Sequence, residues 1–225
     1  PTSYAALLES FGCPILKMRY ESAELAKISI NLFLASSICT TNTLAGLCEA
    51  IGADWSEIIP ALRLDRRIGS HAYLTPGLGL SGGNLERDLV TASELAKQHG
   101  TEAGIVGAWL ADSRYRRDWV LLRLQTSVLS STADPVIAVW GLAYKAGTAS
   151  TKNSPAMALV EALRRWSVQV YDPTVSLNGT GGPRILQTPS ALEACRGADA
   201  LAIMTPWPEF SAVDPVQVAA ATQVR

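Results

Sequence analysis

Lys27 and Asn31 stand four residues apart in an apolar run without proline, and Glu24 precedes Lys27 by three. At helical spacing the three project from one face. A cation and a carboxamide in apolar surroundings carry a desolvation cost unless something polar meets them. Two arrangements would meet it: a Glu24–Lys27 ion pair closing the stripe, or an electrostatic site that holds a developing alkoxide or carbonyl oxygen. A second group is the run Gly77-Leu-Gly-Leu-Ser81-Gly82-Gly83-Asn84-Leu-Glu-Arg-Asp88, which leads into an amphipathic segment. Glycines ahead of a helix let backbone N–H groups approach an anionic ligand, although plain loops use the same pattern. Asp88, in the first turn, serves either chemistry or the helix dipole.

The four cysteines, Cys13, Cys39, Cys48 and Cys195, form no CxxC pair and no metal-ligand spacing with His71 or His99. They read as reduced, mostly buried thiols of a cytoplasmic protein without a metal site. Nineteen basic against twenty acidic residues give a net charge of -1, which argues against nucleic acid and anionic membranes and for a small-molecule partner. Lys27 and Asn31 interrupt the most apolar region, so no stretch reaches the roughly 18 apolar residues of a membrane span. No signal peptide is evident. The chain opens at Pro1, and Pro14 to Met18 reads as a last strand lacking upstream partners, which points to a fragment.

These residues need elements to position them. Apolar residues recur at helical spacing from Ser22 to Ala50, predicting one long, largely buried helix that Gly52 ends. Trp55 to Leu62 predicts a short helix. Asp65 to Gly83 is irregular, with Pro76 and five glycines. Leu85 to His99 is amphipathic and stops at Gly100; Glu102 to Leu129 reads as another long helix whose exposed face carries Arg114, Arg116, Arg117 and Asp118. After a polar linker, strands at Val136–Trp140, Val168–Tyr171 and Ala200–Met204 alternate with helices at Ser154–Arg165, Ser190–Arg196 and Pro215–Ala221. That alternation predicts a parallel sheet with helices on both sides. Its crevice would lie at Gly141–Lys145, Asp172–Pro173 and Thr205–Trp207. Residues 176–183 read as a surface loop.

The run Ser22-Ala-Glu-Leu-Ala-Lys27-Ile-Ser-Ile-Asn31-Leu-Phe-Leu-Ala35, followed by Asn42, Leu47-Cys-Glu49, Gly52-Ala-Asp54 and Asp65-Arg-Arg67-Ile-Gly69, resembles the central domain of UDP-glucose/GDP-mannose dehydrogenases. Val139-Trp-Gly-Leu-Ala-Tyr-Lys145, Val170-Tyr-Asp-Pro173, Gly197 to Thr205 and Trp207-Pro-Glu-Phe210 resemble that family's nucleotide-sugar-binding domain. The resemblance implies an all-helical dimerisation domain like that of 6-phosphogluconate dehydrogenase, followed by a Rossmann-like α/β domain. The domains would be residues 1–20, the tail of an NAD-binding domain whose glycine-rich fingerprint is absent here; 21–130, the helical centre; and 131–225, the nucleotide-sugar-binding part. It also implies a homodimer through helix 22–50.

The family oxidises the C6 alcohol of a nucleotide sugar to a carboxylate by two hydride transfers to NAD, through a thiohemiacetal on cysteine. Carried over, Lys27 would stabilise oxyanions, Asn31 would orient substrate oxygen or water, and Asp88 would assist proton transfer. Arg67 would reach the neighbouring subunit's substrate. Tyr73 and the backbone of Leu80, Ser81 and Gly82 would line the pocket, with Tyr144 and Lys145 approaching from the second domain. The family's Gly-Gly-Ser-Cys-x-Pro-Lys-Asp loop is here Ser81-Gly-Gly-Asn84-Leu-Glu-Arg-Asp88, so Asn84 stands where the nucleophile should be. Asparagine supplies no thiolate. Lys152, expected to contact the cofactor, replaces an arginine and lacks its planar fork. Related hydroxyacid dehydrogenases of the 6-phosphogluconate dehydrogenase superfamily also use Lys-x-x-x-Asn and perform one oxidation without cysteine.

Overall fold

In the computed structural model, which describes residues 2–177 and 182–223, the first half is helical: α1 (Thr2–Glu9), α2 (Tyr20–Ile51), α3 (Trp55–Leu64), α4 (Asn84–His99), α5 (Gly104–Arg117) and α6 (Trp119–Leu124). Part of the loop expected over 176–183, residues 178–181, lies outside the described residues. Glycine stops two helices as anticipated. Gly52 at φ 76° donates its N–H to the Cys48 carbonyl, and Gly100 at φ 66° caps α4 in the same way. Asp54 opens α3 by accepting from the Ser56 N–H at 2.7 Å.

One face of α2 carries Asn31, Ala35, Cys39, Asn42, Ala45 and Cys48 and is buried against α4 and α5, where Leu89 and Val106 complete a small core. The opposite face is not buried, contrary to the sequence expectation. Ile30, Phe33, Leu44, Leu47 and Ile51 recur there at helical spacing and are exposed, Phe33 at 77%. By length and mean hydropathy α2 could cross a bilayer. Its packed face, however, bonds Asn31 and Thr41 to side chain and backbone of other elements.

Three further expectations change. Pro14–Met18 is irregular and exposed rather than a strand, and α1 precedes it. The single helix expected over Glu102–Leu129 is interrupted at Asp118, and its last residues, Gln125–Leu129, form a π-helix. Hydroxyls of Thr126, Ser127 and Ser130 bond to carbonyls three to five residues back and compete with the regular ladder. Arg116 is buried, not exposed.

The second half builds β1 (Val136–Trp140), α7 (Pro155–Ala162), β2 (Ser167–Tyr171), β3 (Ile185–Gln187), α8 (Ala191–Ala194), β4 (Ala200–Ile203) and α9 (Pro215–Ala221). The sheet is wholly parallel in the order β3-β2-β1-β4. Strand β3 was not anticipated, being three residues long. Ile137, Val139, Val168 and Val170 centre one core with α7 and α8, and Leu124 of α6 joins it, so the last helical turns tie the halves together.

Because β1 pairs with β2 on one side and β4 on the other, the chain direction diverges at its carboxyl end and opens a crevice there. Asp172 fixes the loops around it. Its carboxylate, 5% exposed, accepts from the N–H groups of Leu142 (2.6 Å), Ala143 (3.1 Å), Thr174 (2.9 Å) and Val175 (2.8 Å), and from Trp207 Nε1 at 3.2 Å. Asp172 is thus consumed by structure and is not open to a ligand. Burial alone would raise its pKa, but the backbone donors outweigh burial and hold it below the ordinary value. A depressed carboxyl contributes stability that is present above the unfolded pKa of about 4 and lost as pH falls through the folded value. Replacing Asp172 with Asn, which swaps acceptor for donor, is expected to cost about 3 kcal/mol in urea unfolding at pH 7 and to blunt the acid limb. Unchanged stability would contradict this assignment.

Candidate active site

Asp88, one turn into α4, is 5% exposed and meets α2 at the two residues singled out by spacing. Asn31 Nδ2 donates to Oδ2 at 2.6 Å, and Lys27 Nζ lies 3.7 Å from the same oxygen. Arg87 covers the other oxygen through Nε and Nη2 at 3.1 and 3.0 Å. Among the described residues, no Glu24–Lys27 pair forms. Burial again pushes the Asp88 pKa up, yet the Asn31 hydrogen bond and the charges of Arg87 and Lys27 together carry it below the ordinary value. It is a carboxylate at neutral pH. Lys27 stays 66% exposed, so the cluster is rooted in the core and open at the ammonium.

Asn84 is exposed at the first position of α4, one turn before Asp88 and therefore on the same face. Two of the buried thiols are held in the protonated form: burial, then the Asp112 charge and hydrogen bond, push Cys39 up to about 12, and burial raises Cys195.

The glycine loop is held by side chains of the helices beneath it. Thr41 Oγ1 donates to the Tyr73 carbonyl and Trp55 Nε1 to that of Leu74, both at 2.8 Å. The Gly77 N–H donates to Asn42 Oδ1 at 2.7 Å while its carbonyl accepts from Arg116 Nε at 3.1 Å. The Leu80 N–H donates to Ser113 Oγ at 2.8 Å and is therefore not free for an anion. Gly79, at φ 81°, passes so close to α5 that a Cβ would lie 2.5 Å from the Ser113 carbonyl oxygen.

Between this loop and the carboxyl ends of β1 and β4 lies a cavity of about 450 Å³ lined by Gly77, Leu78, Ser81, Tyr144, Met204 and Pro206, among others. Tyr144 lies across Gly82; Lys145 is exposed, 5.6 Å above the Tyr144 ring; Lys152 lies over Gly83. Tyr73 is half exposed, its backbone anchored. Arg67, 90% exposed, folds onto its own turn and pairs with Asp65 at 2.6 Å, away from the cavity in this chain. A larger cavity, about 570 Å³, lies between α2 and α5–α6. Both halves build the smaller one, and Lys27, Asn31 and Asp88 line neither.

Sequence reasoning missed Arg87 and Arg116. Arg116 extends the buried face of α5 by three residues from Ser113, a spacing that would have identified it. Its cation is compensated by the Gly77 carbonyl, by Glu49 at 3.7 Å and by the Trp119 ring at 5.1 Å. Arg116→Ala should lower stability by about 2–3 kcal/mol in thermal or urea unfolding, since Glu49 keeps Arg123 as a partner. A loss under ~0.5 kcal/mol, the scale of an ordinary surface change, would contradict the loop-pinning role.

Sequence models of the UDP-glucose/GDP-mannose dehydrogenase family match residues 21–111 (central domain) and 138–224 (UDP binding domain). UDP-glucose 6-dehydrogenase TuaD of Bacillus subtilis is 31% identical over 222 residues, 95% of this chain and 48% of the relative. UDP-glucose 6-dehydrogenase AglM of Haloferax volcanii is 35% identical over 217 residues, 94% and 49% respectively. The chain spans about half the length of the curated relatives it matches. Among solved structures, a UDP-D-ManNAc dehydrogenase from Pyrococcus horikoshii aligns with TM-score 0.75 at 29% identity, over 91% of this chain and 46% of that one. A UDP-glucose dehydrogenase from Pyrobaculum islandicum shares the fold with TM-score 0.85 at 24% identity, over 99% and 55%. With two domain models of one family matched in order on the two halves described above, the chain belongs to the UDP-glucose/GDP-mannose dehydrogenase family.

Proposed function

We propose that this chain forms the substrate-handling part of an NAD-dependent nucleotide-sugar dehydrogenase of the UDP-glucose 6-dehydrogenase type. The observation that carries the reading is the carboxamide, ammonium and carboxylate of Asn31, Lys27 and Asp88 gathered within 3.7 Å across two helices. The UDP-sugar would lie along the 450 Å³ cavity, its base and phosphates against the glycine loop, Tyr73 and Tyr144, and its C6 hydroxyl directed to the Lys27 side. Lys27 would stabilise the oxyanion left when C6–OH loses its proton, and Asn31 would orient that oxygen or a water. A carboxylate held below its ordinary pKa is a weak base, so Asp88 serves mainly to orient Asn31 and Lys27 and to pass protons to water.

NAD, when bound, supplies the hydride acceptor. Of this chain's residues the exposed cation Lys152, lying over Gly83 beside Asn84, fits a pyrophosphate; the rest of the cofactor site is assigned to a dinucleotide-binding domain preceding residue 21. The exposed stripe of α2 is assigned to a homodimer. Arg67, paired only within its own turn, is then free to reach a second copy's sugar. The enzyme would work in the cytoplasm.

Asn84 decides the extent of oxidation. The alcohol loses one hydride and one proton to become an aldehyde, and this step needs no nucleophile. The aldehyde reaches the acid only as a tetrahedral adduct, which without a thiol must be its hydrate. A second reading, a nucleotide-sugar binder without turnover, draws on the missing thiolate at Asn84 and Cys39.

The full-length protein, given NAD and a panel of UDP- and GDP-sugars, is expected to release one NADH per sugar. Asn84→Cys should raise the yield towards two, and Lys27→Ala should lower kcat by about 10²–10³-fold. Two NADH from the unaltered protein would establish the hydrate route. No NADH with any sugar, alongside measurable sugar binding, would replace this reading with the silent binder.

A further inference from the structure

Two glycines of the loop ahead of Asn84 lie tight against the sheet half. A Cβ on Gly82 would lie 3.0 Å from the Tyr144 ring, and one on Gly83 2.7 Å from Lys152 Cε. Both neighbours belong to the segment between β1 and α7. Asn153, next to last in that segment, bridges the contact: its Nδ2 donates to the Gly82 carbonyl at 2.9 Å and to Glu86 Oε2 at 2.6 Å. Both partners are acceptors, so the amide nitrogen must be the atom that faces them. To present it, the backbone of Asn153 sits at φ 50°, alone in positive φ among the described non-glycine residues. Asparagine is among the few side chains that adopt this region without severe strain.

The next residue carries the connection onward. Ser154 caps α7, its Oγ accepting from the Met157 N–H, and donates to the Leu142 carbonyl at 2.7 Å. Asn153 is therefore fixed to the sheet half at its back while its amide grips the helical half at the loop and at the first turn of α4. The Asn42, Ser113 and Arg116 bonds hold the same loop from the helical side.

We propose that Asn153 is a positioning residue: a clamp that draws the sheet half onto the glycine loop and so sets the width of the cavity between Ser81 and Tyr144. That the cavity takes a nucleotide sugar rests on the function proposed above; the clamp itself does not. Neither Gly82 nor Glu86 is needed for chemistry in this role. Their bonds to Asn153 fix the distance across which base and phosphates are gripped.

The test uses the full chain and four forms: unaltered, Asn153→Gly, Asn153→Asp, and Asn153→Asp combined with Glu86→Gln. Glycine keeps the positive φ without strain and removes only the amide. Aspartate sets a second carboxylate against Glu86, and the double variant restores a donor–acceptor pair with its direction reversed. Hydrogen–deuterium exchange of amides in residues 78–88 should accelerate roughly tenfold in the two single variants, the scale of one charge-assisted hydrogen bond. Exchange in β1 and β2 should not change, and the double variant should recover part of the protection. UDP, measured by calorimetry, should bind about three- to tenfold more weakly to the single variants. Unchanged exchange in Asn153→Gly overturns the clamp. Faster exchange with unaltered UDP affinity overturns its positioning role. Failure of the unaltered protein to bind UDP counts against the nucleotide-sugar reading, and the exchange measurement then decides the clamp alone.

Discussion

The hydrogen bond from Asn31 to Asp88 joins two helices at a point where neither could bury its polar group alone. A carboxylate at 5% exposure needs partners for both oxygens, and here they come from α2 on one side and from Arg87 on the other. A bond between a neutral donor and an ionised acceptor is worth about 1.5–3 kcal/mol, more than the surface ion pair between Lys27 and Asp88 can contribute. The amide therefore sets the geometry, and the exposed ammonium is placed as a consequence. Asn84, one turn before Asp88 on α4, is tied to that contact through the helix, while the glycine loop ahead of it is held separately by Asn42, Ser113 and Arg116.

The loop itself is an economy of small groups. Gly79 and Gly82 lie at positive φ and press against α5 and Tyr144, while N–H and carbonyl groups along residues 73–80 are taken by side chains from α2, α3 and α5. Two backbone donors of the loop, those of Gly77 and Leu80, are taken in this way. Asp172 plays the matching part in the sheet half, gathering the turns after β1 and β2 and the Trp207 indole around one buried carboxylate.

Much of this was legible in the sequence where periodicity is long. Helix α2 follows from a run of helical period and strand β1 from a short continuous apolar run, and Gly52 and Gly100 mark the ends of α2 and α4. Spacing alone put Lys27 and Asn31 on one face. It did not show that Asp88 meets them, because Asp88 lies 57 residues on from Asn31 and was singled out only at the start of its own helix. Arg116 escaped notice inside a cluster of arginines that reads as a solvated face. Strand β3 is too short to show a period, and the positive φ of Asn153 has no sequence signature beyond the residue type.

The site depends on Asp88 being ionised and on its bond to Asn31. Titration of the Asp88 carboxyl carbon by NMR, in the unaltered protein and in Asn31→Ala, measures this directly. The expected midpoint lies below the ordinary aspartate value of about 3.9 and moves upward when the amide is removed. A midpoint at or above that value, or one indifferent to Asn31, would contradict it.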